Sequence, residues 1–154
     1  MKSIISKSPQ ETIELAQKIA KKFKGGEVLA LTGELSSGKT TFIKGLAEGL
    51  GIPETILSPT FILLKEYKIP HPPRHLRSGI NDVSKIFVHI DAYRAETIED
   101  IKSVGIEDYL GRQDIIMAIE WAEKIKEILP KDAIKIEFKH LNKNQRKITY
   151  DFND

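Results

Sequence analysis

The chain of 154 residues has no cysteine, which excludes disulfides, zinc–thiolate centres and thiol nucleophiles. It has no excess of one charge either: 24 Lys and Arg against 22 Asp and Glu leave a formal net charge of +2. That balance is too small to make a nucleic-acid binder on charge alone, although single loops are locally basic. Long hydrophobic runs are missing; stretches such as 115–119 are strand-sized, far short of a membrane span. The opening Met1-Lys2-Ser3-Ile4-Ile5-Ser6-Lys7-Ser8 lacks the continuous apolar core of a secretory signal, so cytoplasm is the expected compartment. Disorder is not expected at 30% charged and 40% hydrophobic residues. The length suits one domain spanning 1–154, long enough to bury roughly 68–70% of its unfolded surface.

What the chain does contain is a phosphate-loop pattern, G-x-x-x-x-G-K-[ST], satisfied by Gly33-Glu34-Leu35-Ser36-Ser37-Gly38-Lys39-Thr40. Each constrained position answers a need of a bound nucleoside triphosphate. Glycines let the backbone turn so that successive N–H groups converge on phosphate oxygens. Lys39 supplies a flexible point charge for the β- and γ-phosphates, and the Thr40 hydroxyl suits Mg²⁺. The flanking sequence has the order this motif requires. Residues 27–32 before it read as a buried strand, and 41–50 after it carry apolar residues at 42, 43, 46, 47 and 50, a helical stripe. Gly51 stands where a helix C-terminus favours glycine. The helix N-terminus then adds its dipole to the anion site. Nucleotide binding is the expectation, with Glu34, Leu35, Ser36, Ser37, Gly38, Lys39, Thr40 and Thr41 as the contact segment.

The rest of the chain alternates helices and strands without internal repeats. Ser8-Pro9-Gln10-Glu11 reads as a capping box opening a helix that presents Ile13, Ala16, Ala20 and Phe23 and ends near Gly25-Gly26. Ser58-Pro59-Thr60 is a loop and 61–67 a strand. Residues 68–85, rich in proline, glycine and charge, read as a loop excursion. Strands are expected at 86–90 and 115–119, helices at 96–109 and 122–128, and a hairpin from 133–138 and 146–152. The sum is an α/β fold: a three-layer P-loop NTPase-like domain with a largely parallel central sheet and a C-terminal strand pair.

Asp91 and Glu120 each follow an apolar strand, and ligands of open α/β sheets bind outside the carboxyl ends of the strands. A phosphate-loop enzyme needs one carboxylate near Mg²⁺ and a group to orient the attacking water. On spacing alone either residue could serve either role, and a lone strand-end carboxylate can also simply cap the next turn. His89 shares strand parity with Asp91 and Tyr93, so it could meet Asp91 or a partner, or be a packed core histidine. Lys39 is expected outside the core, so its removal should leave the fold intact.

Four motifs in one order, the phosphate loop running into Thr41-Phe42, then Ser58-Pro59-Thr60-Phe61, His89-Ile90-Asp91-Ala92-Tyr93-Arg94 and Ile119-Glu120-Trp121, resemble the bacterial TsaE (YjeE) family over about residues 8–140. Members are ATPases of tRNA threonylcarbamoyladenosine biosynthesis. The resemblance implies Thr40 and Glu120 as Mg²⁺ ligands, Asp91 assisting hydrolysis with Lys39, and Trp121 close to the nucleotide. It implies a switch-like role for Ser58-Pro59-Thr60 and action with the TsaB and TsaD proteins, with tRNA (adenosine 37) reached indirectly through that complex. Hydrolysis there is expected to reset the complex rather than build the modification. The chain departs from the family pattern at Ser36-Ser37, where Gly-Ala is usual, at Ala122 in place of proline, and in the longer 68–85 excursion.

Other features read more plainly. His71 and His75 are separated by Pro72 and Pro73, which deny them a helical metal-binding face. Asn142-Lys143-Asn144-Gln145 lacks the final carboxylate of the guanine-reading N-K-x-D, so a GTPase is not expected. Lys124, Lys126, Lys131 and Lys135 read as a solvated surface. Against the ATPase stands a small-molecule or nucleoside kinase using the same phosphate loop, for which only Arg74 and Arg77 could furnish a lid.

Overall fold

A computed structural model describes residues 1–58, 63–70 and 86–152. The expected readings at Pro59-Thr60-Phe61, His71 and His75, and most of the 68–85 excursion therefore lie outside the described residues.

Strand β1 (Lys2–Ser6) leads into α1 (Pro9–Ala20), whose first turn is closed by Ser8 Oγ accepting the Glu11 N–H at 3.2 Å. The reciprocal half of the expected box is displaced. The Glu11 carboxylate accepts from the Lys7 N–H at 2.7 Å instead of from Ser8. The helix stops at Ala20, short of Gly25-Gly26, and buries Thr12, Leu15, Ala16, Ile19 and Ala20, leaving Ile13 half-buried. Next come β2 (Val28–Gly33) and α2 (Lys39–Gly49), then β3 (Leu64–Lys68), β4 (Ile86–Asp91), α3 (Ile98–Ser103), β5 (Ile115–Glu120), β6 (Ile134–His140) and β7 (Arg146–Tyr150).

The strands form one seven-stranded sheet, ordered β1-β7-β6-β2-β5-β4-β3. Its centre, β6-β2-β5-β4, is parallel, while β3 and the β7-β1 edge run antiparallel to their neighbours. The mixed α/β class expected from the alternating pattern is thus observed, with the hairpin at the C-terminus. β1 was not foreseen. Adjacent Ile4 and Ile5 break the period-2 pattern, and only pairing with β7 across the whole chain makes the segment a strand. The long helix expected over 96–109 is broken into α3 and a 3-10 turn, Ile106–Asp108, because Gly105 adopts φ +81°. The segment Ala122–Ile128 is 3-10 rather than α, with a kink at Ile125.

Alternation along the buried strands divides the core into two layers. Leu29 and Leu31 of β2, Phe87 of β4 and Ile116 and Ala118 of β5 pack with α1 and α2. Val28, Ala30, Val88, Ile90, Met117 and Ile119 pack on the opposite side with Ile101, Ile106 and Ile125. On the first side α1 and α2 touch closely at Gly45, where a Cβ would stand 2.5 Å from the Ile13 carbonyl oxygen. That contact sets α2, and with it the loop at its N-terminus, against α1. Among the described residues no helix is long and apolar enough to cross a membrane.

Candidate functional site

The loop between β2 and α2 is bent by residues in left-handed or related conformations. Gly33 has φ +139°, Ser36 +59° and Gly38 +106°. A Cβ on Gly33 would lie 2.5 Å from the Phe138 carbonyl oxygen, so both backbone angle and space demand glycine there. Ser36 holds its positive φ without that freedom. Ser37 is fully buried and its Oγ lacks a hydrogen-bond partner. Glu34, Leu35 and Ser36 are exposed, while Gly38, Thr40 and Thr41 are half-buried at the start of α2.

Lys39 differs from expectation: it is only 4% exposed. Its Nζ donates to the carbonyl oxygens of Gly33 at 2.7 Å and Glu34 at 2.8 Å, and sits 3.8 Å from the centroid of the Trp121 ring. The reason is the tight loop, which folds the long side chain back over its own backbone. Burial pushes the ammonium below its ordinary pKa, opposed by the negative charges of Glu120, Glu123 and Asp91.

β4 and β5 bring the carboxylates alongside. In their parallel register Asp91 stands opposite Glu120, and Leu31 of β2 stands on Glu120's other side. Both acids are buried, at 5% and 3% exposure. Both Glu120 oxygens accept from the Thr40 hydroxyl at 2.9 Å, and Oε1 also lies 3.0 Å from His89 Nε2. Asp91 Oδ2 accepts from the Ser58 hydroxyl at 2.5 Å, and Oδ1 from the Tyr93 N–H at 3.0 Å. Trp121 follows Glu120 with φ +59°, a strained angle for an aromatic residue, and its ring lies 4.9 Å from that of Tyr93.

The structure therefore gathers Lys39, Thr40, Asp91, Glu120 and Trp121 at one end of β2, β4 and β5. It joins to them two residues the sequence read differently and one it did not mark. His89 meets Glu120 rather than Asp91. Lys124, read as part of a solvated face, donates to the carbonyl oxygens of Tyr93 and of Ala95, anchoring the turn after β4. Arg146 of β7 is 9% exposed, its Cδ would lie 3.2 Å from a Cβ at Gly38, and its Nε has no hydrogen-bond partner. No local signal marks Arg146, because the fold alone carries β7 to the loop. The stretch 142–145 is the β6–β7 turn, in which Asn142 Oδ1 accepts from the N–H groups of Asn144 and Gln145 at 3.0 Å. Arg94 is exposed.

A hydroxyl and a carboxylate make a hard oxygen pair of the kind that holds Mg²⁺ with the help of phosphate oxygens and water. Among the described residues no cluster of three or more His, Asp or Glu gathers to hold a metal unaided.

Comparison with known proteins identifies the family and the fold. A crystal structure of Bacillus subtilis YdiB superposes with a TM-score of 0.72 at 32% identity, covering 97% of this chain and 83% of that one. The "tRNA threonylcarbamoyladenosine biosynthesis protein TsaE" of Bacillus subtilis is 38% identical over 93% of this chain and 80% of its own length. The protein of the same name from Aquifex aeolicus is 36% identical over 96% of this chain and 94% of its own. The family model described as "Threonylcarbamoyl adenosine biosynthesis protein TsaE" matches residues 6–148, and the chain belongs to the TsaE family.

Proposed function

We propose that the protein is a Mg²⁺-dependent ATPase serving tRNA threonylcarbamoyladenosine formation in the cytoplasm, in company with TsaD and TsaB proteins, and reaching tRNA through them. The observation that carries this reading is the convergence of Lys39 and the Thr40–Glu120 pair on the N-terminus of α2. The backbone N–H groups of 34–41 and the helix dipole favour a polyphosphate there. Lys39 would exchange its two carbonyl partners for β- and γ-phosphate oxygens, and Trp121, already against its Nζ, would border the nucleotide. Thr40 and Glu120 would hold the Mg²⁺, which neutralises charge on the phosphates. Arg146 adds a cation next to Gly38.

In hydrolysis a water oxygen bonds to the γ-phosphorus as the bond to the β–γ bridging oxygen breaks, giving ADP and inorganic phosphate. Asp91 is the base that orients this water and accepts its proton. Its Ser58 hydrogen bond links the step to the segment that follows α2. The division of labour rests on partners: Glu120 touches Thr40 and Asp91 does not.

Phosphoryl transfer depends on positioning and charge stabilisation, and a partner can complete such a site with large rate gains. Phosphate release is expected to be slow for the free protein and clearly faster with a TsaB–TsaD pair from the same organism. Lack of ATP binding would remove the reading. ATP binding with neither complex formation nor stimulation would remove the partnership alone. Phosphate transferred to an added nucleoside instead of water would favour a kinase.

A further inference from the structure

We infer that His89 is a positioning residue for the metal-binding carboxylate: its Nε2–H fixes Glu120 opposite Thr40, and Mg²⁺-dependent ATP binding relies on it. The inference rests on the ATPase reading above and adds a residue to it.

His89 lies in β4, two positions deeper in the sheet than Asp91, opposite Ala118 in the β4–β5 register. It is fully buried, with Phe87 of the same strand parity in the core beneath α1 and α2. An ionised carboxylate can only accept hydrogen bonds, so the 3.0 Å contact requires the proton on Nε2. Nδ1 is buried without a hydrogen-bond partner. A histidine kept for packing alone would be a poor choice here, because an apolar side chain would fill the space with no orphaned nitrogen. What the imidazole supplies and an apolar side chain cannot is the hydrogen bond to Glu120 Oε1.

That bond has a geometric consequence. The Thr40 hydroxyl has one proton, shared between both carboxylate oxygens at 2.9 Å, so it leaves the carboxylate plane free to rock about the shared donor. Holding Oε1 from the β4 side fixes the plane. Outer partners of metal ligands act this way in general, and losing one costs ~10–100-fold in metal affinity or activity.

The test uses the full chain and measures the Mg²⁺ concentration that half-saturates tightening of a non-hydrolysable ATP analogue. His89→Leu should raise that concentration ~10–100-fold while binding of the analogue without Mg²⁺ stays as in the wild type. His89→Gln, whose amide can donate to the same oxygen, should recover most of the loss, and the shorter His89→Asn should not. An unchanged Mg²⁺ requirement in His89→Leu, or a Gln variant no better than the Asn variant, overturns the inference. If His89→Leu does not fold, the Gln and Asn variants decide it by the same criterion. A second measurement needs neither ion nor nucleotide: ¹⁵N shifts of the His89 ring should report the Nε2–H tautomer, and the Nδ1–H tautomer would overturn the inference. A wild-type protein whose ATP binding ignores Mg²⁺ removes the ATPase reading as well. A normal wild-type response with an unaltered Leu variant removes only the role of His89.

Discussion

The ends of β4 and β5 stand side by side, Asp91 opposite Glu120, with nearly the same burial and on the same face of the sheet. Their partners come from different kinds of structure. Glu120 is held by Thr40 in the first turn of α2 and by His89 within β4, both on regular elements. Asp91 is held by Ser58 and by the N–H of Tyr93, both on connections. Connections re-form their hydrogen bonds at lower cost than packed strands and helices do. A carboxylate tied to them can change partners during a reaction, while one tied to a helix and a strand keeps its place. Position in the sheet brings both acids to the site; the element that supplies each partner separates what they can do.

The strongest way to break that comparison is to neutralise each acid in turn. Asp91→Asn should bind Mg·ATP nearly normally and lose ~10²–10⁴ in hydrolysis rate, the usual contribution of a positioned base. Glu120→Ala should show its loss first as a higher Mg²⁺ requirement for ATP binding. Single-turnover hydrolysis and Mg²⁺ titration measure the two, and reversed phenotypes would exchange the assigned roles.

Lys39→Ala should weaken ATP by about 1.5–3 kcal/mol, because a charge-assisted contact in a partly desolvated site is lost. Equilibrium binding reads this, and unchanged affinity in a folded variant would remove Lys39 from the site. The nucleotide-free fold should survive, since burial already disfavours the ammonium there. The sign follows from its lowered pKa. Between the folded value and the ordinary 10.5 the unfolded chain binds more protons, so the Lys39 contribution to stability rises with pH in that alkaline window. Lys39→Ala should remove that rise from a denaturant series.

A smaller effect tests the connection itself. Ser58→Ala removes one hydrogen bond to Asp91, worth about 1 kcal/mol, and should lower turnover while leaving the Mg²⁺ requirement at Glu120 untouched. Equal shifts in both quantities would mean the two acids act as one unit. The smallest change is expected from Ser36→Gly. Relief of the left-handed serine should stabilise the protein by about 0.5–1 kcal/mol in thermal unfolding, with nucleotide affinity unaltered.

The sequence by itself determined the parts whose physics is local. A buried strand, a glycine-bent loop and an apolar helical stripe are consecutive, so the phosphate loop could be read from spacing, and alternating strands and helices implied a largely parallel sheet. Asp91 and Glu120 were legible because each ends an apolar run. Their order in the chain left their roles open, since which one meets Thr40 depends on sheet order and register. Only the tertiary structure decided that His89 turns to Glu120, that Lys39 folds back into the loop, and that Arg146 of β7 reaches Gly38. It also made a strand of residues 2–6, whose pairing with β7 spans nearly the full length of the chain. Hydrogen bonds and contacts between residues dozens of positions apart leave no periodicity to read, because they arise from the packing of whole elements and not from the residues beside them.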